Sequence, residues 1–317
     1  MIKQKRFLIP VIIIYVLVII VMIITAINPA VDFEVSFRLT SGGAVTYTIG
    51  NTIEIWAEPI TLVPMCFIFA MAVVYAVRTK YKNKLPQVLG AVVLIGGTVL
   101  SYQVVERLVK YYDKLEDITK PWIVKEGPFV SSQWWVKALC AAGGVLIMSL
   151  FIFLASKISQ DVLKKAHRVF VFCVVSLLLE LAIIELLKTV FGRMRFREWL
   201  QNPTNGYDFP WYRINGKPAS DAFKSFPSGH TANGFLMMPM TFMFDAFGKE
   251  KAGRAARIIH LFWMAFLMSS RIMAGAHFLS DVCGGLFVSL TIVTVTGAIL
   301  FRDGKMSGGN VNDKAEI

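Results

Sequence analysis

Cysteine and histidine are scarce, with four of each in 317 residues. Cys66, Cys140, Cys173 and Cys283 all lie in apolar runs, and no two stand at metal-ligand spacing. That argues against a disulfide framework or a zinc site and leaves ordinary buried thiols. Internal repeats and low-complexity segments are absent, and no acidic cluster suggests a metal. Acidic residues are outnumbered, 21 against 33 lysines and arginines, for a formal net charge of +12. In a soluble chain that excess would point to nucleic acid. Here no basic stripe interleaved with aromatics exists, and the cations sit in short connectors between apolar runs, so a nucleic-acid partner is not expected.

Long apolar runs are what the chain has in plenty, since 56% of its residues are hydrophobic. Eight runs, roughly 7–27, 60–77, 86–103, 135–155, 169–187, 230–247, 257–273 and 279–301, each approach the ~20 residues a spanning helix needs. The first follows Lys3, Lys5 and Arg6 like a signal peptide, but it is long for one and no small-residue cleavage site follows cleanly. It is read as a retained span. The fold class predicted is all-α, a polytopic membrane bundle of about eight helices.

Connector charge sets the orientation. Arg78, Lys80, Lys82 and Lys84 form one basic cluster, Lys157, Lys164, Lys165 and Arg168 a second, and Lys249, Lys251, Arg254 and Arg257 a third. With eight spans all three share a side with both termini, and the positive-inside rule makes that side cytoplasmic. The opposite connectors differ. Segment 28–59 carries Arg38 beside Asp32, Glu34, Glu54 and Glu58, and segment 104–134 balances its charges at a spacing that predicts an amphipathic surface helix. Six of seven tryptophans fall in or beside these outer connectors, which fits interfacial anchoring and ordinary loop packing equally. The outer segment 188–228 is basic, as an anionic ligand would require. A polar tail, 302–317, is expected to be disordered.

Three polar islands interrupt the second half: Lys188-x6-Arg195, Pro227-Ser228-Gly229-His230, and Ser270-Arg271-x5-His277-x3-Asp281. All three open on the outer side. His277 and Asp281, four apart, would share a helical face, so that the carboxylate fixes one imidazole nitrogen and leaves the other free to attack. The Arg271 guanidinium suits two phosphate oxygens at once. A turn at Ser228-Gly229 before a helix offers backbone N–H groups to an anion, and His230 can protonate a leaving oxygen. Lys188 and Arg195 can clamp phosphate oxygens. Arg193 and Arg197 read rather as snorkelling interfacial cations. Glu185, three before Lys188, reads as its structural partner, and Asp245 as an interfacial residue. His167 and His260 fall on the cytoplasmic side and carry no catalytic expectation.

In order and spacing the islands resemble the type 2 phosphatidic acid phosphatase family, of the superfamily that includes the vanadium haloperoxidases. Ten specified positions agree; Phe196 departs, standing where the family usually has proline. The resemblance covers 169–301, which it makes a catalytic helical core behind N-terminal helices in 1–168. It implies His277 as the nucleophile forming a phosphohistidine, Asp281 as its orienting group and His230 as the proton donor to the leaving group. Lys188, Arg195, Ser228, Gly229 and Arg271 would hold the phosphate. No metal or other cofactor is implied. The expected protein is a cell-membrane lipid phosphatase with its active site on the extracytoplasmic side. Undecaprenyl diphosphate, phosphatidylglycerol phosphate and phosphatidic acid are candidate substrates. A phosphotransferase, a phosphatase for a soluble phosphomonoester, and an anion transporter are the alternatives. Oligomeric state is not legible.

Overall fold

The computed structural model describes residues 2–79, 85–115, 130–201 and 210–302. Lys80, Lys82 and Lys84, all the charges of segment 116–129, segment 202–209 and the tail from 303 lie outside the described residues. Among those described, the chain is helical and has no strand: α1 (Ile2–Ile27), α2 (Pro29–Thr40), α3 (Gly43–Arg78), α4 (Leu85–Leu115), α5 (Trp134–Ala155), α6 (Gln160–Phe191), α7 (Phe196–Gln201), α8 (Gly229–Phe235), α9 (Met237–Met240), α10 (Phe242–Ala246), α11 (Glu250–Met273) and α12 (Leu279–Leu300).

Six helices, α1, α3, α4, α5, α6 and α12, are long and apolar enough to cross a membrane. The two other expected spans take different forms. The 230–247 run is divided into α8, α9 and α10. Pro239 lacks an N–H and its ring crowds the preceding turn. The chain tightens at Leu236 and Thr241, whose N–H groups bond three residues back to Asn233 and Met238. Both residues keep right-handed helical backbone angles, so the direction of travel persists through the three pieces. The 257–273 run lies within α11, whose charges hold it below the apolarity of the six. This helix is polar inward and apolar outward: His260, Ser270 and Arg271 are buried, whereas Ile259, Phe262 and Phe266 are exposed. A soluble amphipathic helix has the opposite arrangement.

Apolar runs proved shorter than the helices that contain them. The segment 28–59, expected as an outer loop, is α2 followed by the first turns of α3. Asn28 caps α2 by accepting from the Ala30 N–H, with Pro29 at the first helical position. The surface helix expected from residue 104 is instead α4 continuing to Leu115, because Val104 and Tyr111 are buried against the bundle. Ser159 caps α6, and a left-handed Gly192 ends it.

The core lies where α3, α6, α8, α11 and α12 meet, around Met65, Phe69, Phe170, Phe235, Leu267 and Leu290. The end of α3 is tied to the α5–α6 connector by the Arg78 guanidinium, which donates to the carbonyls of Ile158 (2.7 Å) and Ser156. Near that same end Arg257 of α11 pairs with Asp245 of α10 at 2.7 Å. Asp245, expected at an interface, is thus ion-paired. Opposite, the first turns of α3 cross the end of α11 so closely that a Cβ on Gly50 would stand 2.6 Å from Ala274 N and 2.8 Å from Ser270 O. Neither backbone atom can move independently of its helix. Gly50→Ala is therefore expected to lower the thermal unfolding midpoint of the detergent-solubilised protein, by an overpacking penalty of about 1–3 kcal/mol; an unchanged midpoint would show that the crossing is loose.

Candidate active site

The three islands converge at one end of the bundle, where α6 ends, α8 begins, α11 ends and α12 begins. Ser228 joins the second island to the third, its N–H donating to the Asp281 carbonyl at 2.9 Å. The approach requires glycine at 285, where a Cβ would stand 2.4 Å from Ser228 O. Ser228 caps α8, its hydroxyl accepting from the Thr231 N–H at 3.4 Å. Lys188 reaches the same loop from α6: its Nζ is 3.0 Å from where a Gly229 Cβ would lie.

His277 and Asp281 meet, though not on a shared helical face. His277 precedes α12 in an irregular turn, and Asp281 lies in the first turn of the helix. Their closest atoms, Nδ1 and Oδ2, are 3.6 Å apart, too long for a hydrogen bond. Ser225 lies between them. Its hydroxyl donates to Asp281 Oδ2 at 2.5 Å and is 3.5 Å from His277 Nδ1. Asp281 Oδ2 also accepts from the Phe278 N–H at 2.8 Å. Burial pushes the His277 imidazole down to about 3, against the pull of Asp281 and helped by the charges of Arg271 and Arg195. The ring is neutral at ordinary pH.

Arg193 is no snorkelling cation. It is buried and bridges two carboxylates, donating to Asp281 Oδ1 at 2.6 Å and Asp32 Oδ2 at 2.8 Å. Its guanidinium carbon lies 4.1 Å from the centre of the Phe278 ring. Asp32 comes from α2, where Asp32, Ser36 and Thr40 recur every four residues and face the site. Asp32 Oδ1 accepts from Ser280 N at 2.8 Å and the Ser36 hydroxyl accepts from Leu279 N at 3.0 Å, so α2 caps the start of α12. Thr40 donates to the Ile272 carbonyl at 2.9 Å and holds the end of α11. Phe196, buried at the start of α7, packs its ring on Phe278 (5.0 Å) and Phe33 of α2 (5.6 Å). The position usually held by proline thus becomes an aromatic wedge.

Each cation expected to hold phosphate has a carboxylate beside it. Lys188 donates to Glu185 at 2.9 Å, as its spacing predicted, and Arg195 to Asp221 at 2.8 Å. Buried Arg271 lies 2.7 Å from Glu54 of α3, and its Nε has no hydrogen-bond partner among the described residues. His230 Nε2 is 3.0 Å from Glu58 Oε1 and 3.7 Å from Glu54 Oε1, close approaches whose alignment falls short of a hydrogen bond. Glu58 in turn accepts from Tyr111 at 3.2 Å and pairs with Arg107 at 3.2 Å, both on α4. Ser270 bonds back to the Leu267 carbonyl at 2.7 Å, a local helix contact. His260 packs against Phe235 and His167 against Tyr75, away from these groups. Among the described residues, no three histidine, cysteine or carboxylate side chains are grouped to hold a metal ion.

Reasoning from sequence missed Ser225, Asp32, Glu54 and Glu58 as site residues. Only the four-residue spacings of Asp32-Ser36-Thr40 and Glu54-Glu58 carry a signal in the sequence, polar stripes on α2 and on the start of α3, where an outer loop is expected.

Residues 169–305, which carry the three islands, match the PAP2 superfamily. The family resemblance of the three islands is thereby borne out. Among curated proteins, the chain is similar to lipid A 1-phosphatase of Rhizobium johnstonii, at 30% identity over 38% of this chain and 43% of that protein. It is also similar to lipid A 1-phosphatase of Rhizobium etli, at 26% identity over 50% of this chain and 66% of that one. The chain thus spans less than two thirds of the length of either relative. No solved structure matches it.

Replacing Asp32 tests the α2 contribution. Asp32→Asn leaves the buried Arg193 with one carboxylate in place of two, and removing a partner from a buried ion pair costs about 3–5 kcal/mol. The expected outcome is a lowered unfolding midpoint of the detergent-solubilised protein. An unchanged midpoint would show that α2 does not support the site.

Proposed function

We propose that the protein is an integral membrane phosphatase that hydrolyses a lipid phosphate or diphosphate at the extracytoplasmic face through a phosphohistidine on His277. The observation that carries this reading is the convergence of His277, His230, Lys188, Arg195 and Arg271 at one end of the bundle, with Asp281 anchored behind His277. The PAP2 domain and the names of the two relatives support a phosphatase acting on a lipid. Exposed Ile12 and Leu17 of α1, Leu146 and Phe153 of α5 and Phe262 of α11 form apolar faces suited to acyl chains.

Both α8–α10 and α11 would cross the bilayer as well, making eight passes. Arg78, Lys157, Lys164, Lys165, Arg168, Lys249, Lys251 and Arg254 lie at or near the end opposite the islands, so the positive-inside rule supports a cytoplasmic location for that end and for both termini. Residues 169–301 would be the catalytic core, completed by groups from the N-terminal helices.

The chemistry follows from the geometry. His277 Nδ1 faces Ser225 and Asp281, which leaves Nε2 to attack phosphorus. A nitrogen–phosphorus bond forms as the bond to the leaving oxygen breaks, and His230 gives that oxygen a proton. Lys188, Arg195 and Arg271, with the Ser228 hydroxyl and the Gly229 N–H, stabilise charge on the three remaining oxygens. Water then attacks the phosphohistidine, His230 takes a proton from it, and Nε2 leaves with its electron pair. No cofactor enters these steps.

Three measurements test the reading. His277→Ala should abolish phosphate release while the protein still purifies as a folded species. Wild-type protein quenched during turnover should carry acid-labile, base-stable phosphate on His277. Because the imidazole stays neutral down to about pH 3, trapping should persist at pH 5, where an ordinary histidine is largely protonated. Turnover by His277→Ala would refute the nucleophile. In sealed vesicles of known protein orientation, phosphatidic acid confined to the leaflet at the basic end should remain intact; its rapid hydrolysis would reverse the proposed topology.

A further inference from the structure

A general acid must hold a proton at the moment the leaving oxygen departs. His230 occupies a place that works against this. It is largely enclosed, and it shares Glu54 with the buried Arg271, so a second positive charge there would meet one already in place. Asp281 cannot compensate, because it serves His277 and Arg193. The carboxylates that face His230 come instead from α3, Glu58 at 3.0 Å and Glu54 at 3.7 Å. They are not equivalent. Glu54 is drawn to Arg271 at 2.7 Å, whereas Glu58 turns one oxygen toward His230 and the other toward Tyr111 and Arg107, each at 3.2 Å. Glu58 is thus fixed from behind by α4 and directed forward at the imidazole. Asp281 is held in the same way, with Arg193 and backbone behind it and His277 in front.

We infer that Glu58 is a positioning residue that orients His230 and keeps it protonated for donation to the leaving group, forming a second carboxylate–imidazole pair opposite Asp281 and His277. The inference rests on the phosphatase reading above. With Nε2 facing Glu58, Nδ1 is the nitrogen that serves the departing oxygen. The proton passes from Nδ1 to that oxygen, the imidazole becomes neutral, and Glu58 remains a carboxylate throughout. Arg107 and Tyr111 act one step further back by keeping Glu58 in place. None of these three residues lies in the segment matched by the PAP2 superfamily, 169–305, so the N-terminal half would contribute directly to proton transfer.

Leaving-group dependence separates this role from a structural one. An alkoxide requires protonation as it leaves, whereas p-nitrophenolate departs without it. In purified full-length protein, Glu58→Gln should lower kcat on short-chain phosphatidic acid by about 100-fold, the lower end of what general-acid catalysis contributes, and lower kcat on p-nitrophenyl phosphate by less than about threefold. Tyr111→Phe, which removes a single hydroxyl and spares the fold if Glu58→Gln does not, should give a smaller loss that is again confined to phosphatidic acid. Adding Glu58→Gln to His230→Ala should cause no further loss, because the first residue acts only through the second. Equal losses on the two substrates, or full activity of Glu58→Gln on phosphatidic acid, would overturn the inference while leaving the phosphatase reading intact. Failure of the wild-type protein to release phosphate from either substrate would overturn both.

Discussion

A guanidinium shut away from water must be neutralised where it stands, and Arg193 is neutralised by carboxylates from distant parts of the sequence. Asp32 lies in the second helix and Asp281 in the last. A buried charge costs several kcal/mol to desolvate, and only well-aligned partners recover that energy. The geometry around His277 is therefore tied to the correct docking of α2. The same Asp32 meets two groups that carry positive charge or partial charge, Arg193 and the start of α12. One carboxylate thus fixes both the cation behind Asp281 and the helix on which Asp281 is carried.

This pattern gives the N-terminal half a physical role. The start of α3 and the last turns of α4 bring Glu54, Glu58, Arg107 and Tyr111 to the end of the bundle where the islands open. The matched segment supplies the imidazoles, the three cations and the carboxylates Glu185 and Asp221 beside two of them, and the helices before it supply Glu54 beside Arg271 and Glu58 beside His230. Pairing each cation with a carboxylate also limits charge repulsion in a small space. Arg195 and Arg271 would otherwise repel one another at the same end of the bundle.

The islands were legible from sequence because charged and hydroxyl groups stand out at fixed spacing in an apolar chain. The all-helical class and the six most apolar helices were legible for the same reason. Apolarity, however, marks where a helix would meet lipid and not where the helix ends. Asp32, Glu54 and Glu58 therefore looked like loop acids, although all three are buried on helices. Arg193 was misread because an arginine at the end of an apolar run ordinarily reaches for the interface, and its second partner lies 161 residues away in sequence. The break in the sixth run had a visible cause in Pro239, but the turns on either side of it did not. His277 and Asp281 came together as their spacing suggested, through a turn and a bridging hydroxyl in place of a helical face.

Phe196 shows how one departure from the family pattern constrains later change. Its ring fills the gap between Phe33 and Phe278, and Phe278 lies under the Arg193 guanidinium. Proline at this position would be too small for that gap, and the resulting void would loosen α2 and the start of α12 together. A change to proline here would be accommodated only if Phe33 or Phe278 were enlarged or moved with it, so the three positions are coupled and a substitution at any one of them sets what the other two can accept.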